Sequence, residues 1–328
     1  MNQKVLLTGG AGYIGSHVGL YLAEAGYDVI VFDNCSTGTP ESVFFGELVV
    51  GDLSDVELLL HTLINHQISK VMHFAASISV PESVLRPLDY YDNNTRNTLN
   101  LLQCCNKVGV KEFVFSSTAA VYGQAEENPL KESSITVPIN PYGRSKLMSE
   151  WMIQDAGQAS NLNYVILRYF NVSGADSKGR IGSYSRNANH LIDNACNVVL
   201  HHQSHLKVFG IDFPTVDGTG VRDYIHVQDL ALAHIAALNY LENGGSSQIL
   251  NCGYGVGYSV LEVVERVKVI SGIDIPLVIE SRRPGDPACV IAHAEKIRHI
   301  LDWHPHHDNL DDIISTALEW KRKNVSIK

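Results

Sequence analysis

No stretch of this 328-residue chain approaches the ~20 continuous apolar residues that a membrane-spanning helix requires, so no span is expected. Cysteine is scarce and without pattern. Cys35, Cys104, Cys105, Cys196, Cys252 and Cys289 form no Cys-x-x-Cys pair, which argues against a metal site or disulfide framework read from spacing. They are expected as reduced thiols of a cytoplasmic protein. Positive charge is also in deficit: 25 Lys and Arg stand against 35 Asp and Glu, a formal net charge of -10. That balance argues against nucleic acid or an anionic membrane surface as the main partner. It leaves room for an anionic small molecule, which requires only a local cationic site. The first apolar stretch is too short for a secretion signal and runs directly into glycines. There is no internal repeat and no low-complexity linker. The histidines of His201, His202, His205 and of His304, His306, His307 are read as polar surface and loop residues, and no metal is expected.

What is present is an ordinary globular composition, 45% hydrophobic and 18% charged. Short apolar runs at Lys4 to Thr8, Asp28 to Asp33, Glu47 to Val50, Val71 to Phe74, Glu112 to Phe115 and Tyr164 to Leu167 read as strands. Helical patterns alternate with them, as at Ile14, Val18 and Leu22, Val56 to Ile64, Thr95 to Lys107 and Tyr142 to Gln158. Apolar strands alternating with helices predict an α/β fold, a Rossmann-type doubly wound parallel sheet covered on both faces. After Phe170 the rhythm breaks into Gly, Ser and Asn, which predicts a smaller α+β substrate-binding lobe. Val221 to His226 and Gln248 to Asn251 are expected as strands returning to the main sheet. The dinucleotide domain is accordingly expected over residues 1–171 and about 221–251, and the lobe over about 172–220 and 252–328.

The run Thr8-Gly9-Gly10-Ala11-Gly12-Tyr13-Ile14-Gly15 lies between a predicted strand and a predicted helix. Gly9, Gly12 and Gly15 would let backbone N–H groups approach a pyrophosphate, and the helix N-terminus favours the anion. Asp33 ends the second strand about 20 residues beyond the loop, where an acid bonds ribose hydroxyls and repels a 2′-phosphate. That choice favours NAD over NADP. Asp52, after the third strand, could face the adenine.

Three separated pieces carry the chemistry. Ser116-Ser117-Thr118 closes the fifth strand, and Tyr142 and Lys146 share one helix face, one turn apart. A free tyrosine, with a pKa of ~10, is a poor base at neutral pH. A nearby ammonium is expected to stabilise the phenolate and lower that value. Thr118 would hydrogen-bond the reacting hydroxyl. Pro141 places Tyr142 in the first helical turn.

These motifs, in this order, resemble the extended short-chain dehydrogenase/reductase family. His73-Phe74-Ala75-Ala76, Tyr90-Tyr91-Asp92-Asn93-Asn94, Leu167-Arg168-Tyr169-Phe170-Asn171 and Asp217 to Val227 (DGTGVRDYIHV) narrow the resemblance, over nearly the whole chain, to its UDP-sugar 4-epimerases. The resemblance implies NAD-dependent, reversible 4-epimerisation of a UDP-hexose through a transient 4-keto sugar, with Tyr142 as base. It places Tyr13, Ile14, Asp33, Asn34, Asp52, Leu53, Phe74, Ala75, Asn94, Ser116 and Phe170 against NAD, beside Tyr142 and Lys146. It places Asn171, Leu191, Val208, Phe209, Arg222, Arg283 and Asp286 against the UDP-sugar, with Thr118 and Tyr142 at the reacting hydroxyl. The two arginines can neutralise a diphosphate through bidentate forks. Val290, four residues past Asp286, takes the place of the wall around the sugar 2-substituent. A valine there, intermediate in size, implies use of both UDP-glucose/galactose and their N-acetyl forms; Cys289 would replace it if the register slips by one.

The chain departs from the family pattern at Ile78, where some members have lysine, at Asn97, usually glycine, and at Thr118, usually serine. Dehydratases and decarboxylases of the same scaffold carry an acid or base just after the strand-end hydroxyl. Here Ala119 and Ala120 stand there, and neither transfers a proton. A UDP-pentose substrate, and a non-catalytic nucleotide-sugar or NAD sensor, remain the alternatives. The resemblance also implies a homodimer, paired through the helix near Thr95 to Lys107 and the helix carrying Tyr142.

Overall fold

The computed structural model describes residues 3–124, 127–184, 190–283 and 285–325. Strands β1 (Lys4–Thr8), β2 (Asp28–Asp33), β3 (Glu47–Val50), β4 (Lys70–His73), β5 (Glu112–Thr118) and β6 (Asn163–Tyr169) form a parallel sheet, with β7 (Asn171–Ser173) leaving it at once. Next come β8 (Leu206–Phe209), β9 (Val221–His226), β10 (Gln248–Cys252), β11 (Gly257–Ser259), β12 (Leu277–Glu280) and β13 (Cys289–Val290). The main sheet has the order β10-β6-β5-β4-β1-β2-β3. The order reverses between β1 and β4, and ligands of such sheets bind beyond the strand C-termini at that reversal.

The central strands are buried along almost their whole length, as a sheet covered on both faces requires, and successive residues alternate between two cores. Val5, Leu7, Val31, Val114 and Leu167 belong to one core, packed with α1 (Tyr13–Glu24). Leu6, Ile30, Phe32, Phe113, Phe115 and Ile166 belong to the other, under α2 (Val56–Asn65), α3 (Asn97–Val108) and α4 (Pro141–Ala159). A fifth long helix, α5 (Val227–Glu242), lies against α1 and over β5 and β6. A six-residue π-helical turn, Tyr91–Arg96, precedes α3 and takes in Thr95, the expected start of that helix.

One strand is placed differently from expectation. Gln248–Cys252 joins the main sheet as β10, but Val221–His226 does not return to it. The free edge of β6 is taken by β10. β9 instead pairs with β7, β11 and β13 in a second sheet, with Tyr224 opposite Asn171 and Arg222 opposite Val290. β8 and β12 form a separate parallel pair. Among the described residues, no helix is long and apolar enough to cross a membrane.

Candidate active site

The glycine loop connects β1 to α1 as expected. Gly9 adopts φ +74°, and a Cβ there would stand 2.4 Å from the Ala75 nitrogen. A Cβ at Gly15 would stand 2.3 Å from the Gly9 carbonyl oxygen. Both positions therefore need glycine on steric grounds. Gly12 is the helix N-cap and places no side chain on the exposed amides, and the first turn of α1 carries no acid. These features leave an uncapped N-terminus suited to a phosphate. Asp33 ends β2 with its carboxylate fixed: one oxygen accepts the Ala11 N–H at 2.9 Å and the other the Cys35 N–H at 2.8 Å. Asn34 donates to Asp52 at 2.7 Å, joining the ends of β2 and β3, and Leu53 beside them is buried. The N–H groups of Phe74 and Ala75 both reach the Thr8 carbonyl, which ties the end of β4 to the loop. These residues thus converge where a dinucleotide would lie, and the cradle fits one.

Other expected cofactor residues have partners the motifs do not reveal. Tyr13 donates its hydroxyl to the Gly174 carbonyl at 2.7 Å, bridging α1 to the second lobe, while Ile14 beside it packs on the core. The Asn94 amide accepts the Ser77 N–H and donates to the Ser77 carbonyl and to Ser145 Oγ, so it ties the π-helical turn to α4. Ser116 Oγ lies 2.8 Å from Nε2 of the buried His234 on α5. Phe170 is buried just beyond β6.

Asn140 caps α4 through the Gly143 N–H at 2.8 Å, and Pro141 opens the helix. Tyr142 and Lys146 are buried on it, as is Thr118 at the end of β5. The expectation of a lowered tyrosine pKa is not met in the protein alone. Burial raises the Tyr142 pKa above the usual phenol value, and the neighbouring Thr118 hydroxyl pulls it down. Lys146, expected to lower it, has its own pKa brought down to about 7 by burial, with Glu150 opposing. Its ammonium sits 4.3 Å from the centre of the Phe115 ring. Desolvation penalises both charged forms at once. Burial thus favours the neutral phenol in the protein alone.

Glu150 and Arg168 were not singled out from the sequence. Glu150 continues the stripe of Tyr142 and Lys146 at a further four residues, which was the available signal. Fully buried, it accepts from Arg168 Nη2 at 2.6 Å and Nε at 3.0 Å, and from the Ser117 hydroxyl. Arg168 Nη1 reaches the Tyr122 hydroxyl at 3.1 Å, and Tyr122 donates to Asn251 on β10 at 2.6 Å. This network holds α4 against β5, β6 and β10.

Arg222 of the second sheet pairs with Asp286 at 2.5 Å, and at the end of β8 the Arg283 guanidinium lies 3.8 Å from the centre of the Phe209 ring. Val208 and Phe209 stand side by side on β8, with Val208 buried. Asn171 opens β7, and Leu191 opens the helix Leu191–Val199. Val290 is the register partner of Arg222, and residues opposite one another across a sheet point to the same face. Cys289 points to the other face. Pro284, within the expected Arg283–Asp286 turn, lies outside the described residues.

Four buried histidines set a pH sensitivity. Burial lowers His17 and His234 to about 4 and His73 and His226 to about 3. In the unfolded chain a histidine titrates near ~6.5. Between these values the unfolded state binds more protons, so stability present above pH ~6.5 is lost as the pH falls. Each imidazole contributes a slope of about 1.4 kcal/mol per pH unit. Asp223, pushed up to about 6 by burial, and Glu112, also raised by burial, work in the opposite direction, but they are two groups against four. Thermal unfolding is expected to shift sharply downward between pH 7 and 5; an unchanged midpoint would contradict the neutral, buried assignments.

A phosphate cradle at the reversal of a doubly wound sheet, with a buried tyrosine–lysine stripe beside it, defines a Rossmann-type enzyme that works through a dinucleotide. Comparison with known proteins agrees. The model of the NAD dependent epimerase/dehydratase family matches residues 5–253. A UDP-glucose 4-epimerase of Azospirillum brasilense is 52% identical over 322 residues, covering 98% of this chain and 92% of that protein. The structure of UDP-glucose 4-epimerase from Brucella ovis in complex with NAD is 41% identical. It superposes with a TM-score of 0.94 over 96% of this chain and 97% of that one. The UDP-Glc/GlcNAc 4-epimerase of Campylobacter jejuni is 42% identical with a TM-score of 0.86, over 98% and 99% of the two chains. The chain belongs to the NAD dependent epimerase/dehydratase family, among its UDP-glucose 4-epimerases.

Proposed function

We propose that this protein interconverts UDP-galactose and UDP-glucose by NAD-dependent, reversible oxidation at the sugar C4. The observation that carries the mechanism is the buried group of Tyr142, Lys146 and Thr118 at the strand ends, followed by two methyl side chains at Ala119 and Ala120. Tyr142 takes the proton of the 4-hydroxyl and returns it, and Thr118 orients that hydroxyl. Lys146 supplies positive charge beside the phenol and holds the cofactor. The bound nicotinamide supplies the hydride acceptor and donor. With no proton-transferring group at positions 119 and 120, the keto sugar has no local route to elimination, and return of hydride to its other face gives epimerisation.

Arg222 and Arg283 are assigned to the diphosphate, Asp286 to the ribose, and Asn171, Leu191, Val208 and Phe209 to the remaining contacts of the UDP-sugar. UDP thereby supplies binding energy remote from the reacting carbon, which retains the keto sugar. The cofactor contacts are those of Gly9, Gly12, Tyr13, Ile14, Gly15, Asp33, Asn34, Asp52, Leu53, Phe74, Ala75, Asn94, Ser116 and Phe170, with Tyr142 and Lys146. In this reading NAD is carried by residues 1–171 and about 227–251, since Val221–His226 lies in the second sheet with Arg222, and the remainder carries most of the UDP-sugar contacts. Val290, on the face of Arg222, forms the wall around the sugar 2-substituent, and its modest size supports turnover of N-acetylated UDP-hexoses as well.

Purified protein incubated with UDP-galactose, without added NAD, is expected to form UDP-glucose, and to convert UDP-N-acetylgalactosamine in parallel. Failure with both, even after NAD is supplied, would move the assignment to a UDP-pentose or to a non-catalytic sensor. We assign a homodimer from the apolar residues exposed together on α3, α4 and the adjoining short helices, notably Leu85, Leu88, Leu99, Met148 and Trp151. A patch of this kind marks an association surface. Light scattering should give the mass of two chains; the mass of one would contradict the assignment.

A further inference from the structure

We infer that Asn128 is a positioning residue that sets the substrate range, because its side chain clamps the backbone on both sides of Val290. The inference rests on the reading of Val290 as the sugar wall. Asn128 Nδ2 donates to the Cys289 carbonyl at 2.9 Å, and its Oδ1 accepts the Ile291 N–H at 3.0 Å. The next main-chain contacts continue the pattern: Leu130 N–H donates to the Ile291 carbonyl at 2.8 Å, and His293 N–H to the Leu130 carbonyl at 2.7 Å. The segment 128–130 therefore lies along β13 as an added edge, with a side-chain amide standing in for a main-chain one. On the opposite edge β13 pairs with β9, where Arg222 stands across from Val290. Val290 is held from both sides.

The clamp is itself anchored on the main sheet. Asn251 of β10 donates Nδ2 to the Leu130 carbonyl at 2.8 Å, and its N–H to Glu132 Oε1 at 2.9 Å. The same Asn251 accepts from Tyr122, which joins Arg168 and Glu150 on the helix of Tyr142 and Lys146. The wall is thus referenced to the element that carries the proton-transfer group, although Val290 belongs to the second sheet. Only a primary amide supplies both halves of the clamp. A carboxylate accepts but does not donate, and alanine does neither.

The test compares kcat/KM for UDP-N-acetylgalactosamine with that for UDP-galactose, in the full chain and its variants. Releasing the clamp lets the wall recede, so the ratio of the N-acetylated to the plain substrate should rise at least about threefold in Asn128→Ala, with Asn128→Asp between it and the parent. Val290→Tyr should lower the ratio by at least about tenfold. Asn128 is exposed, and thermal unfolding of each variant checks that the fold is kept. A purely structural role would depress both substrates together and leave the ratio where it was. An unchanged ratio in both Asn128 variants, beside a shifted one in Val290→Tyr, overturns the clamp and leaves the wall standing. An unchanged ratio in Val290→Tyr overturns the wall, and the clamp with it.

Discussion

Tyr142→Phe is expected to lower kcat for UDP-galactose by about 10²–10⁴-fold, the range for losing a positioned acid–base group. The substitution removes one buried hydroxyl and keeps the ring that packs edge-on near Tyr90, so the fold should persist. Bound cofactor should persist too, because the glycine cradle, Asp33 and Lys146 do not depend on that hydroxyl. The expected result is a folded, NAD-containing protein that turns over slowly under saturating substrate. Burial raises the phenol in the protein alone and brings Lys146 down to about 7. Positive charge on the nicotinamide is then the natural source of further stabilisation, which couples proton removal to the oxidised cofactor. Retained activity within tenfold of the parent would remove Tyr142 from its role.

The second large effect lies one layer beneath. Glu150→Gln leaves Arg168 buried without its countercharge, and breaking such a pair costs about 3–5 kcal/mol. Denaturant unfolding should register that loss. The double variant Glu150→Met with Arg168→Met removes both charges and should recover most of the stability, since well-packed apolar replacements of buried pairs are often neutral. It should not recover activity in the same proportion, because Glu150 is the group that opposes the effect of burial on Lys146. Parallel recovery of stability and activity would show the pair to be structural only.

Much of this arrangement is legible in the residues. The main strands are short apolar runs bounded by turn residues, and the strand–glycine–helix order fixes where a dinucleotide lies. The tyrosine and lysine are visible through their four-residue spacing. What escapes the pattern depends on partners distant in sequence. Val221–His226 reads as one more strand of the main sheet, yet the edge it would join is occupied by Gln248–Cys252, a competition that local periodicity does not express. Asn94 reads as a cofactor contact, while its amide is engaged by Ser77 and Ser145, 17 and 51 residues away. The direction of the Tyr142 shift escaped for a similar reason. Spacing shows which charges are close, but burial decides how much each charge costs. Asn128 gave no signal at all, since its partners lie 161 and 163 residues on.

The central claim is that hydride leaves the sugar C4 and returns to the same carbon without exchange. The direct measurement is conversion of UDP-galactose carrying deuterium at C4, with the product and the solvent both examined by NMR. The account predicts UDP-glucose that retains its deuterium at C4, with none released to water. Loss of the label to solvent, or inversion with hydrogen from water at C4, would contradict it.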